Sequence, residues 1–156
     1  MSIQVGAPAP NFTLYSTDKQ QVSLSDFKGK TVVLQFFPQA FTGVCTQQMC
    51  TMRDHLTEYN DMNAEIIGIS VDSIFTLAKF KQTEGLNFTL LSDFNKEVSP
   101  AYGAFYQDFA FGMKGVSARA AFVIDGEGIV RYAEVLSSAG NLPDFEAVKA
   151  SVQALS

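Results

Sequence analysis

The sequence predicts an α/β fold: a central mixed β-sheet flanked by helices on both faces, with an N-terminal β-hairpin. Two apolar runs, residues 31–37 and 65–71, are rich in β-branched side chains, and each is followed by a segment of helical periodicity. That is the rhythm of a parallel βαβ pair. Asp125-Gly126-Glu127-Gly128 separates two further strand-like runs and reads as a tight hairpin turn, so part of the sheet is antiparallel. Phe145, Val148, Val152 and Leu155 recur at helical spacing and close the chain with an amphipathic helix.

In chain order, residues 5–10 are an extended lead-in held non-helical by Pro8 and Pro10. Residues 12–15 and 21–24 read as two short strands around a turn. Residues 25–30 form a loop. The strand at 31–37 ends at Pro38, and Thr42 stands where a helix over residues 43–59 needs an N-cap. Ser73 or Asp72 can cap a helix over 74–83 that turns Leu77, Ala78 and Phe80 to the core. A short strand covers 88–91. Residues 95–102 read as helical, with Pro100 as an interruption that Ser99 could re-cap. Residues 105–116 carry five large apolar side chains without a period and read as a loop packed over something. Strands at 119–124 and 129–135 flank the hairpin turn, and the last helix spans 143–155.

The 156 residues suit one domain over 1–156 with a real core. Sixteen acidic residues against eleven basic ones give a formal charge of -5, which argues against nucleic acid or an anionic membrane surface as partner. No apolar run approaches the ~18 residues of a membrane span. Residues 1–12 lack a basic stretch followed by an apolar core, so no signal peptide is expected and the expected location is cytoplasmic. Two cysteines are too few for a disulfide scaffold; in a reducing compartment such a pair is more often catalytic, redox-active or metal-binding.

Both cysteines fall on the 43–59 helix. Cys45 lies in its first turn, where backbone N–H groups have no intrahelical acceptor and the helix dipole adds partial positive charge. A thiolate is stabilised there. The gain in thiolate at neutral pH can reach about thirtyfold, or ~2 kcal/mol of barrier, so further groups must act on a transition state. A small buried hydrophobe is the competing reading of Cys45. Cys45, Met49, Met52, Leu56 and Tyr59 form one apolar stripe, whereas Cys50 lies ~140° around the helix from Cys45, among Thr46, Arg53, Asp54 and Thr57. A metal site of Cys45, Cys50 and His55 fails because residues stepping ~140° each cannot converge on one ion. A disulfide oxidoreductase of C-x-x-C type is also out, since the spacing is C-x-x-x-x-C.

The residues 36–45, FFPQAFTGVC, carry Pro38, Thr42 and Cys45 in the P-x-x-x-T-x-x-C pattern, and here the chain resembles the peroxiredoxins. VGAPAPNFTL, GISVDS, LLSDFNKEV and ARAAFVID resemble further family segments in order and spacing, so the likeness covers nearly the whole chain. AFTGVC is similar to the one-cysteine group typified by alkyl hydroperoxide reductase E. CTQQMCTMRD is similar to the bacterioferritin-comigratory group, whose second cysteine follows the first by five residues. The resemblance implies a thioredoxin-like fold and a thiol-dependent peroxidase that reduces hydrogen peroxide and organic hydroperoxides, without a cofactor, drawing electrons from a thiol reductant such as thioredoxin or glutaredoxin.

It also implies roles. Cys45 would attack the peroxide as thiolate and become a sulfenic acid. Thr42 would hydrogen-bond thiolate and peroxide, or serve only as the N-cap. Arg119 would stabilise the thiolate and the charge developing on the peroxide oxygens, against a surface ion pair as the plain reading. Pro38 would shield the thiolate from water, and the backbone N–H groups of Val44 and Cys45 would add donors. Gln48 matches a polar position on the same helix. Cys50 is the candidate resolving cysteine. A non-enzymatic redox-sensing adaptor would need the same reactive Cys45, and catalytic consumption of peroxide separates the two. Phe41 and the Phe-rich 105–116 stretch suit a homodimer contact.

Overall fold

The computed structural model describes residues 3–156. The first strands, β1 (Thr13–Ser16) and β2 (Gln21–Ser23), form the expected N-terminal hairpin. Then come β3 (Thr31–Phe36), α1 (Gly43–Asp54), α2 (Leu56–Asp61), β4 (Ala64–Ser70), α3 (Ile74–Glu84), β5 (Thr89–Ser92) and α4 (Val98–Ala101). A separate hairpin of β6 (Phe105–Asp108) and β7 (Lys114–Ser117) precedes β8 (Ala120–Ile124), β9 (Val130–Val135) and α5 (Phe145–Gln153). The main sheet has seven strands in the order β2-β1-β5-β4-β3-β8-β9, and β3, β4 and β5 are parallel while the rest pair antiparallel.

The alternation of β3 divides its side chains between two cores. Val33 and Phe37 face a layer made by Cys45, Met49 and Met52 of α1, Tyr59 of α2, Leu77 and Phe80 of α3, and Val148 and Val152 of α5. Val32, Leu34 and Phe36 face the opposite layer with Phe12, Val98, Tyr102 and Phe122. Helices therefore lie on both faces, but unequally: among the described residues the second face has only α4 and a short 3₁₀ turn at Leu24–Phe27. β3 sits between β4 and β8 and carries a core layer on each face, which explains its near-continuous apolar sequence.

Three expectations need correction. The helix expected over 43–59 is two helices. His55, at φ -106° and ψ 7°, ends α1 and opens α2, and its N–H bonds to Met52 O at 3.3 Å, one residue short of the α-helical register. The stripe survives the break, because Leu56 and Tyr59 still pack into the core of Met49 and Met52. Second, residues 105–116 are no loop: Phe105↔Ser117 and Tyr106↔Val116 pair antiparallel, and the turn closes through Phe109 N–H to Met113 O. Its side chains are largely half-buried or exposed, which is why no period showed. Third, α4 spans only four residues and Ser99 does not cap it. The Asp93 carboxylate accepts the N–H groups of Glu97, Val98 and Ser99 at 3.0, 3.1 and 2.7 Å, and Pro100 falls within the first turn, where its missing N–H costs nothing.

Candidate active site

The chain leaves β3 at Phe36 and must turn into α1 within a few residues. Side chains hold that turn from outside. Asp72 Oδ2 accepts the Ala40 N–H at 2.8 Å and the Ser70 hydroxyl at 2.6 Å. Phe41 adopts φ 68°, uncommon for a non-glycine residue, and its ring packs edge-on against Phe80 at 5.2 Å between centroids. Pro38 is buried. Thr42 occupies the N-cap with extended φ/ψ, but its hydroxyl makes no cap bond; it donates to Gln39 O at 2.8 Å. The first-turn N–H groups of Val44 and Cys45 therefore receive nothing from the cap side chain and point out of the helix end.

Cys45 is fully buried in that first turn. Arg119, one residue ahead of β8, is 2% exposed and lies against it: its Nη1 stands 3.3 Å from Cys45 Sγ and 3.0 Å from Gln48 Oε1, while Nε donates to Ala139 O at 2.9 Å. The Arg119 backbone is held in turn, since its N–H donates to the Tyr106 hydroxyl and its carbonyl accepts from Leu136 N–H. Among the described residues, no carboxylate pairs with this guanidinium. A buried cation surrounded by neutral acceptors is expensive. Besides the Gln48 oxygen, the group that Nη1 touches is the Cys45 sulfur. Gln48, also fully buried, links this pair to the sheet, because its Nε2 donates to Gln35 Oε1 at 2.8 Å and to Phe36 O at 3.3 Å.

Cys50 lies elsewhere. It is half-buried against the C-terminal end of α3, with Sγ 3.6 Å from Glu84 Oε1. Burial pushes its thiol up from the ordinary value, the Glu84 hydrogen bond and negative charge push it further, and the Arg53 cation opposes both. Arg53 also donates to Glu84 O and pairs with Asp54. Cys50 is thus less open to solvent than its polar neighbours in sequence suggest.

The fold brings Cys45, Arg119 and Gln48 together, with Thr42 and Pro38 on the loop beside them, and keeps Cys50 apart. The sequence marks Gln48 only as a polar position on the same helix and does not point to Gln35, Asp72 or the Ala139 carbonyl as part of the site. Gln48 was accessible from helical phase, being three residues after Cys45. Gln35 stood out only as the single amide in an apolar strand, and the other two required the fold.

The model of the AhpC/TSA family matches residues 5–133. The chain is 40% identical over 136 residues to alkyl hydroperoxide reductase E of Mycobacterium tuberculosis, covering 85% of this chain and 86% of that protein. Among solved structures it is similar to peroxidoxin BcpB from Mycobacterium tuberculosis (TM-score 0.86, 27% identity, 99% of both chains). It is also similar to a peroxiredoxin-like protein from Aquifex aeolicus (TM-score 0.90, 25% identity, 100% of this chain and 90% of that one). Both groups that the motifs suggested are represented, the fold is that of thioredoxin-like peroxiredoxins, and the chain belongs to the AhpC/TSA family as a peroxiredoxin, a thiol-dependent peroxidase that reduces hydroperoxides with electrons from a thiol reductant.

Proposed function

We propose that Cys45 is the peroxide-reducing residue of this chain. The observation that carries it is the Arg119 guanidinium 3.3 Å from the Cys45 sulfur, with no carboxylate among the described residues to share it. The thiolate attacks the terminal peroxide oxygen, the O–O bond breaks, sulfur is oxidised by two electrons to a sulfenic acid, and the alkoxide or hydroxide leaves and takes a proton from solvent. Arg119 and the N–H groups of Val44 and Cys45 hold the charge that spreads over the peroxide oxygens. Thr42 acts as an acceptor for the peroxide O–H. Its own proton is committed to Gln39 O, so it does not donate to the thiolate unless the hydroxyl rotates. Pro38 packs at the loop and keeps water from the sulfur.

Cys50 then resolves the sulfenic acid and forms a disulfide that thioredoxin or glutaredoxin reduces. Both cysteines lie inside the intact α1. Residues five apart on a helix have Cα atoms ~8.7 Å apart, whereas a disulfide needs about 4.4 to 6.8 Å. The first turns of α1 must fray, and Gly43 at the terminus favours that. A homodimer is supported by the exposed Phe41 and by Phe111, which is 99% exposed at the tip of the β6–β7 hairpin. A cytoplasmic location is supported by two free thiols, one of which must be reduced to work. No helix among the described residues is long and apolar enough to cross a membrane.

The test is stopped-flow consumption of hydrogen peroxide with thiol titration before and after. Wild type consumes peroxide with loss of free thiol. Cys45→Ser keeps the fold and loses turnover, and retained activity in that variant overturns the assignment.

A further inference from the structure

We propose that Gln35 is a positioning residue for the peroxide chemistry: it fixes the amide of Gln48, which holds Arg119 against Cys45. The inference rests on the reading that Cys45 and Arg119 carry the reaction. It starts from a residue that looks out of place. Gln35 sits mid-strand on β3, fully buried, on the same face as Val33 and Phe37. Its neighbours in register are Gly68 on β4 and Ala121 on β8, the small side chains that let an amide extend between sheet and helix. The helix is close at this point, since a Cβ on Gly68 would lie 3.1 Å from Met49 Sδ.

The orientation of both amides follows from Arg119. A guanidinium only donates, so the Gln48 atom 3.0 Å from Nη1 must be its oxygen. Gln48 Nε2 then faces the sheet and needs an acceptor, so Gln35 must present Oε1, at 2.8 Å. Turning either amide over sets donor against donor. The consequence is that Gln35 Nε2 is buried and has no hydrogen-bond partner among the described residues. An apolar side chain at this position would avoid that desolvation penalty, at the loss of the acceptor for one Gln48 Nε2 proton. A residue that is wrong for stability and right for the site next to it is the signature of a functional compromise.

The mechanism is electrostatic alignment. Gln48 offers Arg119 a neutral acceptor, so the guanidinium is anchored without its charge being neutralised, and the charge stays available to the sulfur and the peroxide oxygens. Gln35 makes the shortest of the three bonds that keep the Gln48 amide from turning; those to Arg119 and to Phe36 O are 3.0 and 3.3 Å.

The experiment compares Gln35→Leu with wild type in two readings that a merely structural residue would move together. The second-order rate constant for hydrogen peroxide falls about fivefold, the size of one ordinary hydrogen bond. The melting temperature stays level or rises. No fall in rate, or a fall accompanied by a lower melting temperature in both Gln35→Leu and the longer, more adaptable Gln35→Met, overturns the proposal. The cycle is closed in a Gln48→Leu background. Leucine has no amide for Gln35 to orient, so Gln35→Leu there changes the rate less than twofold; the same fivefold loss in both backgrounds also overturns the proposal, because the effect would not pass through Gln48. Cys45→Ser run alongside separates the layers. If it remains active, the underlying reading has failed; if it is inert while Gln35→Leu is as fast as wild type, only the role of Gln35 has.

Discussion

The two cysteines of α1 sit one and a half turns apart on the same helix, in opposite electrostatic surroundings. Cys45 is fully buried against a cation, at a helix end whose dipole favours an anion. Cys50 is half-buried against a carboxylate, and burial together with Glu84 holds its proton on more tightly than usual despite Arg53. Burial alone would favour the neutral thiol in both places. What separates them is the charged group each thiol contacts, a cation for Cys45 and a carboxylate opposed by the Arg53 cation for Cys50, and the contacting group comes from a distant element in each case: the start of β8 for Cys45, the end of α3 for Cys50. This contrast supports the proposed division of labour, in which Cys45 attacks the peroxide and Cys50 resolves.

The comparison breaks most severely at Arg119. Arg119→Met keeps the bulk of the side chain and removes the charge. Peroxide attack should slow by roughly 10²-fold if that charge is felt in the transition state. The measurement is the second-order rate constant for hydrogen peroxide, taken at a pH where Cys45 of both proteins is ionised. Equal rates there would reduce Arg119 to a group that only anchors the 136–139 segment through Ala139.

A smaller change is expected at Cys50, because it acts after the peroxide has left. Wild type treated with one equivalent of peroxide should lose two hydrogens through a Cys45–Cys50 bridge, read by mass spectrometry. Cys50→Ser should leave the first peroxide step within about twofold and instead carry one added oxygen on Cys45. If the wild type itself holds a stable added oxygen while Cys50 still alkylates, an external thiol is the resolving group and the fraying of α1 is not used.

Much of this was readable in the chain, and what was not has a physical reason. The parallel β3–β4 pair, the capped α3 and the Cys45 stripe are local patterns of period two and 3.6, so composition and spacing carry them. Arg119 is singled out by the family resemblance, and its place at the start of an apolar strand is compatible with an inward-facing side chain as well as with a surface ion pair. The Gln35–Gln48 bond could not be singled out, because it joins a strand to the following helix through a side-chain geometry that no period encodes. The break at His55 was equally hidden: no proline or glycine marks it. The β6–β7 hairpin was read as a loop because its turn is a left-handed Phe111 followed by Gly112, where a glycine pair or Asn-Gly would have signalled it.

The smallest effect, and the one that sharpens the contrast most directly, concerns Glu84. Its carboxylate oxygen is 3.6 Å from the Cys50 sulfur, and it raises the Cys50 thiol both by accepting its proton in a hydrogen bond and by charge. Glu84→Gln removes the charge and leaves an oxygen that can still accept. The thiol should ionise at lower pH, nearer the ordinary value of 9.0, and the thiolate fraction at pH 8 should rise. The site is half-buried and open to salt, so the expected gain is modest, about threefold in the rate at which iodoacetamide alkylates Cys50, measured in the Cys45→Ser background so that one thiol reports. Arg53→Gln should act in the opposite sense, because its cation now holds the thiol down. The sign in stability is fixed as well. A thiol raised in the folded state binds its proton more tightly there than in the unfolded chain, so its contribution is complete below about pH 9 and is lost as pH climbs through the raised value. Glu84→Gln should therefore flatten the loss of stability on the alkaline side. A variant that alkylates no faster than its parent would show that burial alone quiets Cys50, and that the two cysteines differ by one charge rather than two.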